Sequence, residues 1–270
     1  MNIVCIGAHP DDAEFYAGGA MILWSRLGHR VTAVSLTNGD AGHQSDPPAL
    51  LAGRRAEEAR EAARRGGYQA ITMDAHDGEL MPTLEMRREV VRLIRRLEAD
   101  VVLTHRACDY HPDHRYTAVL VQDAAFMVTV PHVCPDTPAL RSNPVFLYMM
   151  DAFAGTTPFR ADLAVAVDAV LDEKWALLDA MPSQFYEWLP WLEGRLDEVS
   201  PTGDGAARLK WLAEFYGPVL AEMSGALRDA LPRIHRGKAD SIHWAEYFEI
   251  CPFGRRPSEA ELSLLCISDT

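Results

Sequence analysis

With 270 residues, 48% of them hydrophobic and 24% charged, the chain is long enough to bury a substantial core, and this composition excludes an intrinsically disordered protein. The net charge of −13 argues against a nucleic-acid-binding protein, in which clustered basic residues are expected. The five cysteines include no CxxC pair, so neither a disulfide framework nor a cysteine zinc site is predicted.

The beginning of the chain shows no basic region followed by a signal-type apolar run. No apolar stretch approaches the length of about 18 residues that a membrane-spanning helix needs. We therefore expect a cytoplasmic protein without a membrane span.

The first predicted strand leads directly into a cluster of metal-type ligands. Residues 3–6 read Ile-Val-Cys-Ile, an apolar run typical of a buried central strand. His9, Asp11 and Asp12 then place one imidazole and two carboxylates within four residues, before a helix predicted over residues 13–27. In an open α/β sheet such a corner lies at the carboxyl edge, where ligands bind. An Asp before a helix is also typical of an N-cap, so this cluster alone does not establish a site.

The first half of the chain continues with alternating strand and helix patterns. Strands are predicted over residues 31–36, 70–73 and 101–104, and helices over residues 50–65 and 84–97. This alternation predicts an α/β fold with a mostly parallel, Rossmann-like sheet, helices on both faces and right-handed crossovers. No GxGxxG motif follows the first strand, so a dinucleotide site is not expected. Gly18 and Gly19 come later, within the first helix pattern, and indicate either close packing of that helix on the sheet or a close backbone approach near the site.

A second ligand cluster follows the strand predicted over residues 101–104. His111, Asp113 and His114 lie within four residues, and an amphipathic segment over residues 116–127 comes next. Both clusters therefore follow strands of one parallel sheet and can meet at the same edge. Two histidines and one carboxylate leave coordination positions open for water, as catalytic zinc sites require.

The second half of the chain has a less regular pattern. Strands are predicted over residues 145–150 and 164–167, joined by a Gly/Thr/Pro stretch around 155–158. Helices are predicted over residues 168–178 and 206–233, and the second of these is interrupted around Pro218. Residues 184–192, QFYEWLPWL, are dense in aromatics, which is more typical of a core or a homo-oligomer interface than of a sugar-stacking platform.

The domain prediction follows from the absence of internal repeats and low-complexity tracts. Residues 200–205 read as a polar linker or mobile loop. We expect one domain over residues 1–270, with a core over roughly 1–180 and a C-terminal helical elaboration over roughly 181–270.

Several motifs together resemble one known family. They are AHPDDAEF with the AGG that follows, TNGDAG, RAEEAREAA and DYHPDHR, all within residues 3–117. In this order and spacing the sequence resembles the PIG-L/LmbE superfamily of zinc-dependent deacetylases, which remove acetate from N-acetylglucosaminyl conjugates. The resemblance implies an N-deacetylase with a small glycoconjugate substrate and one Zn²⁺ per chain, Fe²⁺ or another divalent ion being the alternatives. Beyond about residue 150 the resemblance is thinner.

The resemblance also implies roles for individual residues. His9, Asp12 and His114 match the metal ligands of the family. Asp11 matches the general base, which accepts a proton from metal-activated water. For Asp12, a helix N-cap is the competing interpretation.

The remaining residues of the second motif match groups that act on the reacting carbonyl. His111 matches a histidine thought to stabilise the tetrahedral oxyanion, and Asp113 matches the carboxylate that orients it. An imidazolium held by a carboxylate can donate a hydrogen bond where negative charge develops. For Asp113, a supporting or capping role is the alternative. His105 and His76 match no motif, and we interpret them as ordinary loop histidines.

Substrate contacts are implied on two further elements. Arg55 and Glu58 match an Arg-x-x-Glu pair whose arginine contacts a polar or acidic aglycone, although an Arg/Glu-rich helix face is usually solvated. Asp40 and Asp77 match acidic residues that bind sugar hydroxyls, with a turn-forming Asp before Gly as the alternative for Asp77. One departure is Met181 in MPSQ, where many relatives carry His-x-Ser-Gln, so the role of that histidine is absent or supplied elsewhere.

Other functions remain open at this point. Two histidines and one carboxylate also form the facial triad of non-haem iron oxygenases. A same-fold hydratase and a metal-stabilised sugar-binding protein without turnover are further alternatives. The extra carboxylate of Asp11 beside Asp12 and the Rossmann-like frame favour hydrolysis.

Overall fold

A computed structural model describes residues 1–153, 157–199 and 205–267. Within these ranges the strands are β1 (Asn2–Gly7), β2 (Arg30–Thr37), β3 (Gln69–Ala75), β4 (Val101–Thr104), β5 (Val145–Met149), β6 (Leu163–Ala166) and β7 (Ala245–Ile250). They form one sheet of order β3-β2-β1-β4-β5-β7-β6. The five strands from β3 to β5 are parallel, and β7 runs antiparallel to both of its neighbours. The predicted mostly parallel α/β sheet is confirmed.

Helices cover both faces of this sheet. The described helices are α1 (Asp12–Arg26), α2 (Pro48–Gly66), α3 (Leu84–Arg96), α4 (Pro112–Met127), α5 (Leu171–Asp179), α6 (Leu189–Leu192), α7 (Gly205–Ala226), α8 (Leu231–Ile234) and α9 (Glu259–Cys266). Ile3 and Cys5 of β1 pack in one hydrophobic cluster with α1, α2, α5 and α7, whereas Val4 and Ile6 pack in another with α3 and α4. Because β1 is buried on both faces, its sequence is a continuous apolar run rather than an alternating one.

The two glycines of α1 allow close contact with neighbouring elements. A Cβ atom placed on Gly19 would lie 2.6 Å from Cγ1 of Val167, and one on Gly18 would lie 3.2 Å from Cδ1 of Leu177. The backbone N–H of Gly19 also donates to Glu246 of β7 at 3.0 Å. The predicted close packing on the sheet is thus confirmed for Gly19, whereas Gly18 packs against α5.

The C-terminal part of the chain contributes a strand that the sequence pattern did not predict. β7 lies between β5 and β6, and its Glu246 is 1% exposed and pairs with Lys174 at 2.6 Å. A buried carboxylate breaks the apolar pattern by which a central strand is usually recognised. The segment after residue 180 is therefore not a purely helical elaboration, because it completes the sheet.

Other details of the second half also differ from the expectations. The helix predicted over residues 206–233 passes through Pro218 without interruption and ends at Ala226, after which a 3₁₀ turn leads into α8. The aromatic segment agrees with the core interpretation at Phe185 and Tyr186, which are buried in the core, whereas Trp191 and Leu192 are exposed. The predicted linker at 200–205 and the joining stretch at 155–158 fall largely outside the described residues.

Among the described helices, none has the length and apolarity to cross a bilayer.

Candidate active site

The ends of β1 and β4 bring the three predicted metal ligands together. Ile6 and Thr104 are register partners at these ends. His9 Nδ1 lies 3.2 Å from His114 Nε2, which lies 3.3 Å from Asp12 Oδ1. His9 Nδ1 is 3.6 Å from the other oxygen of Asp12. Because zinc bonds to N and O ligands are about 2.0–2.2 Å long, ligand atoms around one ion lie roughly 3–3.6 Å apart. The two histidines and the Asp12 carboxylate are therefore spaced to hold one divalent ion, with the contacts to Asp12 divided between its two oxygens.

The outer ring nitrogens of both histidines face carboxylates. His114 Nδ1 lies 3.1 Å from Asp109 Oδ2. His9 Nε2 lies 3.1 Å from Asp77 Oδ1 and 3.4 Å from Asp113 Oδ2. Such partners keep the proton on the outer nitrogen and leave the inner lone pair free for a metal. The donor chemistry thus agrees with the distances.

Asp12 folds back onto the loop that precedes α1 instead of capping the helix. Its Oδ2 accepts hydrogen bonds from the backbone N–H groups of Ala8 and His9, both at 2.8 Å. In the described structure Asp11, the N-cap residue, makes no side-chain capping bond. A Cβ atom on Gly7 would lie 2.6 Å from Cβ of Asp12, so this corner requires glycine. The N-cap interpretation of the HPDD aspartates is not supported.

Asp11 pairs with a buried arginine of α2. Arg55 Nη2 donates to Asp11 Oδ2 at 3.0 Å, and its Nη1 donates to the carbonyl oxygen of Gly39 at 3.1 Å. The guanidinium also lies 3.6 Å from Asp77 Oδ2, and the Arg55 side chain is 2% exposed. Burial raises the pKa of Asp11, and Arg55 acts against this shift. Arg55 is therefore engaged within the site, and its contacts do not support the substrate contact expected from the sequence.

The two acidic residues expected to bind sugar hydroxyls also have partners within the protein. Asp40 Oδ2 lies 2.6 Å from His76 Nδ1, and its Oδ1 accepts the N–H of Asp77 at 3.0 Å. The Asp77 carboxylate contacts His9, as described above. Burial raises the pKa of Asp77, but His9 and Arg55 outweigh it and the net shift is downward. Asp40 thus holds the loop after β3, and Asp77 supports a proposed ligand.

His111 is oriented by the backbone rather than by the Asp113 carboxylate. Its Nδ1 accepts the N–H of Asp113 at 3.2 Å, so the neutral ring carries its proton on Nε2. The Asp113 carboxylate instead accepts the N–H of Gly78 at 2.7 Å and lies near His9. Burial, together with His9 and His114, lowers the pKa of His111. The Asp113 carboxylate thus contacts His9, where the sequence led us to expect a contact with the His111 ring, and the lowered pKa favours the neutral form of His111.

Two residues of the cluster were missed by the sequence analysis. His105, interpreted there as a loop histidine, is 4% exposed, and its Nε2 lies 3.1 Å from Asp12 Oδ2. Asp109, the partner of His114, was given no role. His105 directly follows β4, so its position at the strand end could have identified it. Asp109 is the first residue of the DYHPDHR motif, and its place in that motif was the available signal.

The MPSQ element secures the surroundings of the cluster. Ser183 Oγ donates to Glu58 Oε2 at 2.5 Å, and Gln184 Nε2 donates to the carbonyl oxygen of Gly42 at 3.0 Å. Met181 is fully buried in the hydrophobic core. The element thus ties α2 and the loop after β2 to the C-terminal half, and position 181 is a packing position.

The cluster is strongly acidic. Its carboxylates are Asp11, Asp12, Asp40, Asp77, Asp109 and Asp113. Arg55, which pairs with Asp11, compensates one of these negative charges. A divalent ion would compensate two further charges. A net negative charge remains around the proposed metal position.

Comparisons with known proteins agree with the motifs. Residues 4–125 match the family model described as PIG-L, GlcNAc-PI de-N-acetylase. The chain is 32% identical over 137 residues to the diacetylchitobiose deacetylase of Thermococcus kodakarensis, an alignment that covers 48% of this chain and 51% of that enzyme. It thus spans about half the length of that relative. It is 26% identical over 199 residues to the 4-oxalmesaconate hydratase of Pseudomonas putida, covering 69% of this chain and 75% of that protein.

Solved structures extend the likeness along the chain. The N,N'-diacetylchitobiose deacetylase of Pyrococcus horikoshii superposes with a TM-score of 0.71 at 21% identity, covering 93% of this chain and 84% of that one. The 4-carboxy-2-hydroxymuconate hydratase of Pseudomonas putida gives a TM-score of 0.72 at 21% identity, covering 96% and 99%. These two likenesses show a common fold. Residues 4–125 thus match the PIG-L family model, and the chain shares its fold with these two proteins.

Proposed function

We propose that this protein is a metal-dependent amide hydrolase that removes the N-acetyl group from an N-acetylglucosamine-type sugar conjugate. The observation that carries the proposal is the place of Asp11, which lies next to Asp12 in the chain and is held by Arg55 at 3.0 Å. Burial raises the pKa of Asp11, and His9 and His114 are near enough for their charges to act against this shift. A carboxylate next to an activated water is what hydrolysis requires of a general base. The deacetylases among the relatives support the same reaction class.

The residues of the cluster divide the chemistry among them. His9, Asp12 and His114 would hold the ion, which we expect to be zinc and which, when bound, lowers the pKa of water and polarises the acyl oxygen. Asp11 accepts the proton of the attacking water and returns it to the nitrogen of the leaving amine. His111 donates from Nε2 to the oxygen on which negative charge develops.

The charge of the cluster indicates which substrates suit it. A net negative site repels polyanions and attracts cations. Deacetylation converts an uncharged amide into an amine that is protonated at neutral pH. A negatively charged site suits this cationic product. Because Arg55 is already paired with Asp11, we propose an uncharged glycoside as the preferred substrate rather than one with an anionic aglycone.

A hydratase is the second candidate. The Pseudomonas putida hydratase aligns over 69% of this chain, against 48% for the Thermococcus deacetylase. The same set of ligands and base could activate water for addition to a carbon–carbon double bond. We place this candidate second because a substrate bearing several carboxylates would meet the acidic cluster.

We further propose that the chain folds as one domain. The C-terminal strand β7 lies within the sheet, and Glu246 on it hydrogen-bonds to Gly19 and Ala20 of α1 at 3.0 and 2.7 Å. Proteolysis of the folded protein tests this proposal, since an independently stable fragment of residues 1–180 would contradict it.

The functional test is product analysis with metal-loaded protein. Acetate release is measured with N-acetylglucosamine, its uncharged glycosides, its phosphorylated conjugates and non-sugar acetamides, using zinc and iron separately. Release from uncharged glycosides is the expected result. Loss of ultraviolet absorbance from unsaturated polycarboxylic acids, without acetate release, would favour the hydratase instead. Oxygen-dependent turnover with iron would indicate an oxygenase, and sugar binding without any turnover would indicate a binding protein.

A further inference from the structure

His105 contacts two of the three proposed metal ligands at once. Its Nε2 lies 3.1 Å from Asp12 Oδ2, and its ring stacks on that of His114 with centroids 4.1 Å apart and an interplanar angle of 4°. The side chain is 4% exposed, so both contacts are shielded from bulk water. The ring of Tyr16 in α1 lies perpendicular to the His105 ring, at a centroid distance of 5.9 Å, and supports the orientation of His105.

The contact with Asp12 gives the two carboxylate oxygens different surroundings. Oδ2 accepts the backbone N–H groups of Ala8 and His9 and also faces His105 Nε2. Oδ1 instead faces His114 Nε2 at 3.3 Å. With its proton on Nε2, His105 gives Oδ2 a third donor beside the Ala8 and His9 N–H groups, and the Ala8 N–H also lies 3.2 Å from this Nε2. These contacts fix the rotation of the carboxylate and leave Oδ1 as the oxygen directed toward a metal.

The contact with His114 restrains the ring plane of the second ligand. Asp109 holds Nδ1 of His114 at 3.1 Å, which sets the direction of the imidazole edge. A single hydrogen bond still allows the ring to tilt about that direction. The parallel ring of His105 removes this freedom.

We propose that His105 is a positioning residue, which holds Asp12 and His114 in the geometry that a divalent ion requires. The inference rests on the metal set of the proposed function and adds a residue outside it. His105, Asp12 and His114 could also form a ligand group by distance alone. However, His105 Nε2 is the atom that meets Asp12 Oδ2, so we assign it to the carboxylate and not to the ion.

The test compares two substitutions of the full-length protein. His105→Gln keeps an N–H donor at a similar reach to Nε2, whereas His105→Leu removes the donor and the aromatic ring. Affinity for Zn²⁺ is measured by competition with a chromophoric chelator, and ligand geometry by the visible absorption spectrum of the Co²⁺-loaded protein. His132→Leu, at an exposed histidine, is the matched control.

We expect His105→Leu to weaken metal affinity by about 10–100-fold, as loss of a partner of a metal ligand typically does, and to change the Co²⁺ spectrum. His105→Gln should recover most of the affinity, and the control should match the unmodified protein. Circular dichroism and thermal melting of the metal-free proteins show whether each variant folds. If the leucine variant does not fold, His105→Asn, which is polar but too short to reach Asp12, replaces it.

Three results would overturn the proposal. Unchanged affinity and spectrum in the variants that lack the donor would show that His105 positions nothing. Complete loss of the ion in both His105→Leu and His105→Gln, as for removal of a ligand, would make His105 a ligand itself. Absence of metal binding by the unmodified protein would overturn the metal set of the proposed function as well, which separates that failure from the first two.

Discussion

The guanidinium of Arg55 donates to the carboxylate of Asp11 at 3.0 Å, across 44 residues of sequence. This ion pair joins α2 to the loop between β1 and α1, where the proposed base lies. The Arg55 side chain is almost completely buried. Arg55 is thus placed to hold the base in position and ionised, which changes what a substitution there should do.

For Arg55→Ala we expect a fall in kcat and a destabilisation of about 3–5 kcal/mol, because one partner of a buried ion pair is left without compensation. Kinetics of acetate release and urea unfolding measure the two effects. Arg60→Ala, on the same helix with a side chain 59% exposed, is the control and should change stability by less than about 0.5 kcal/mol. A raised KM with unchanged kcat would restore Arg55 as a substrate contact.

For His114→Ala we expect a folded protein that has lost most of its metal. The unmodified protein should contain close to one divalent ion per chain, since the distances among His9, Asp12 and His114 fit one ion. Elemental analysis after dialysis against metal-free buffer gives the stoichiometry. His243→Ala, with a side chain 74% exposed, should keep full occupancy. Full occupancy in His114→Ala would remove this residue from the ligand set.

For Asp11→Asn we expect retained metal and a turnover lower by about 10²-fold or more, the range typical of a lost general base. Asparagine has nearly the same shape as aspartate but cannot accept the proton of the attacking water. Metal content and kcat are measured on the same preparation, so loss of the ion cannot be mistaken for loss of the base. Near-normal kcat would rule out Asp11 in this role.

For Met181→His we expect no gain in activity and a destabilisation of about 1–3 kcal/mol, because an imidazole would be buried without a hydrogen-bond partner. Met181→Leu keeps an apolar side chain of similar volume and should cost less than about 1.5 kcal/mol. Thermal melting and acetate release distinguish the two variants. A more active histidine variant would show that position 181 reaches the reacting groups after all.

Much of the sheet edge could be predicted from local sequence alone. The apolar run in β1 and the one in β4 each identify a buried strand, and the carboxyl ends of parallel strands share one edge. His9 and His114, which follow those two strands, were therefore expected to meet. In the structure, His9 Nδ1 lies 3.2 Å from His114 Nε2. Local patterning sufficed because the position of each residue follows from the end of its own strand.

The partners of these residues were decided by the tertiary structure. Arg55 belongs to a helix face rich in Arg and Glu, and nothing in that pattern distinguishes a buried guanidinium from a solvated one. His105 and Asp12 are 93 residues apart, and their contact depends on how two loops pack. β7 also pairs with β5 and β6, which lie far from it in the sequence, and its buried Glu246 accepts a hydrogen bond from α1. Periodicity and motif spacing report the face or strand end on which a residue lies, whereas hydrogen-bond partners and burial depend on contacts between distant segments.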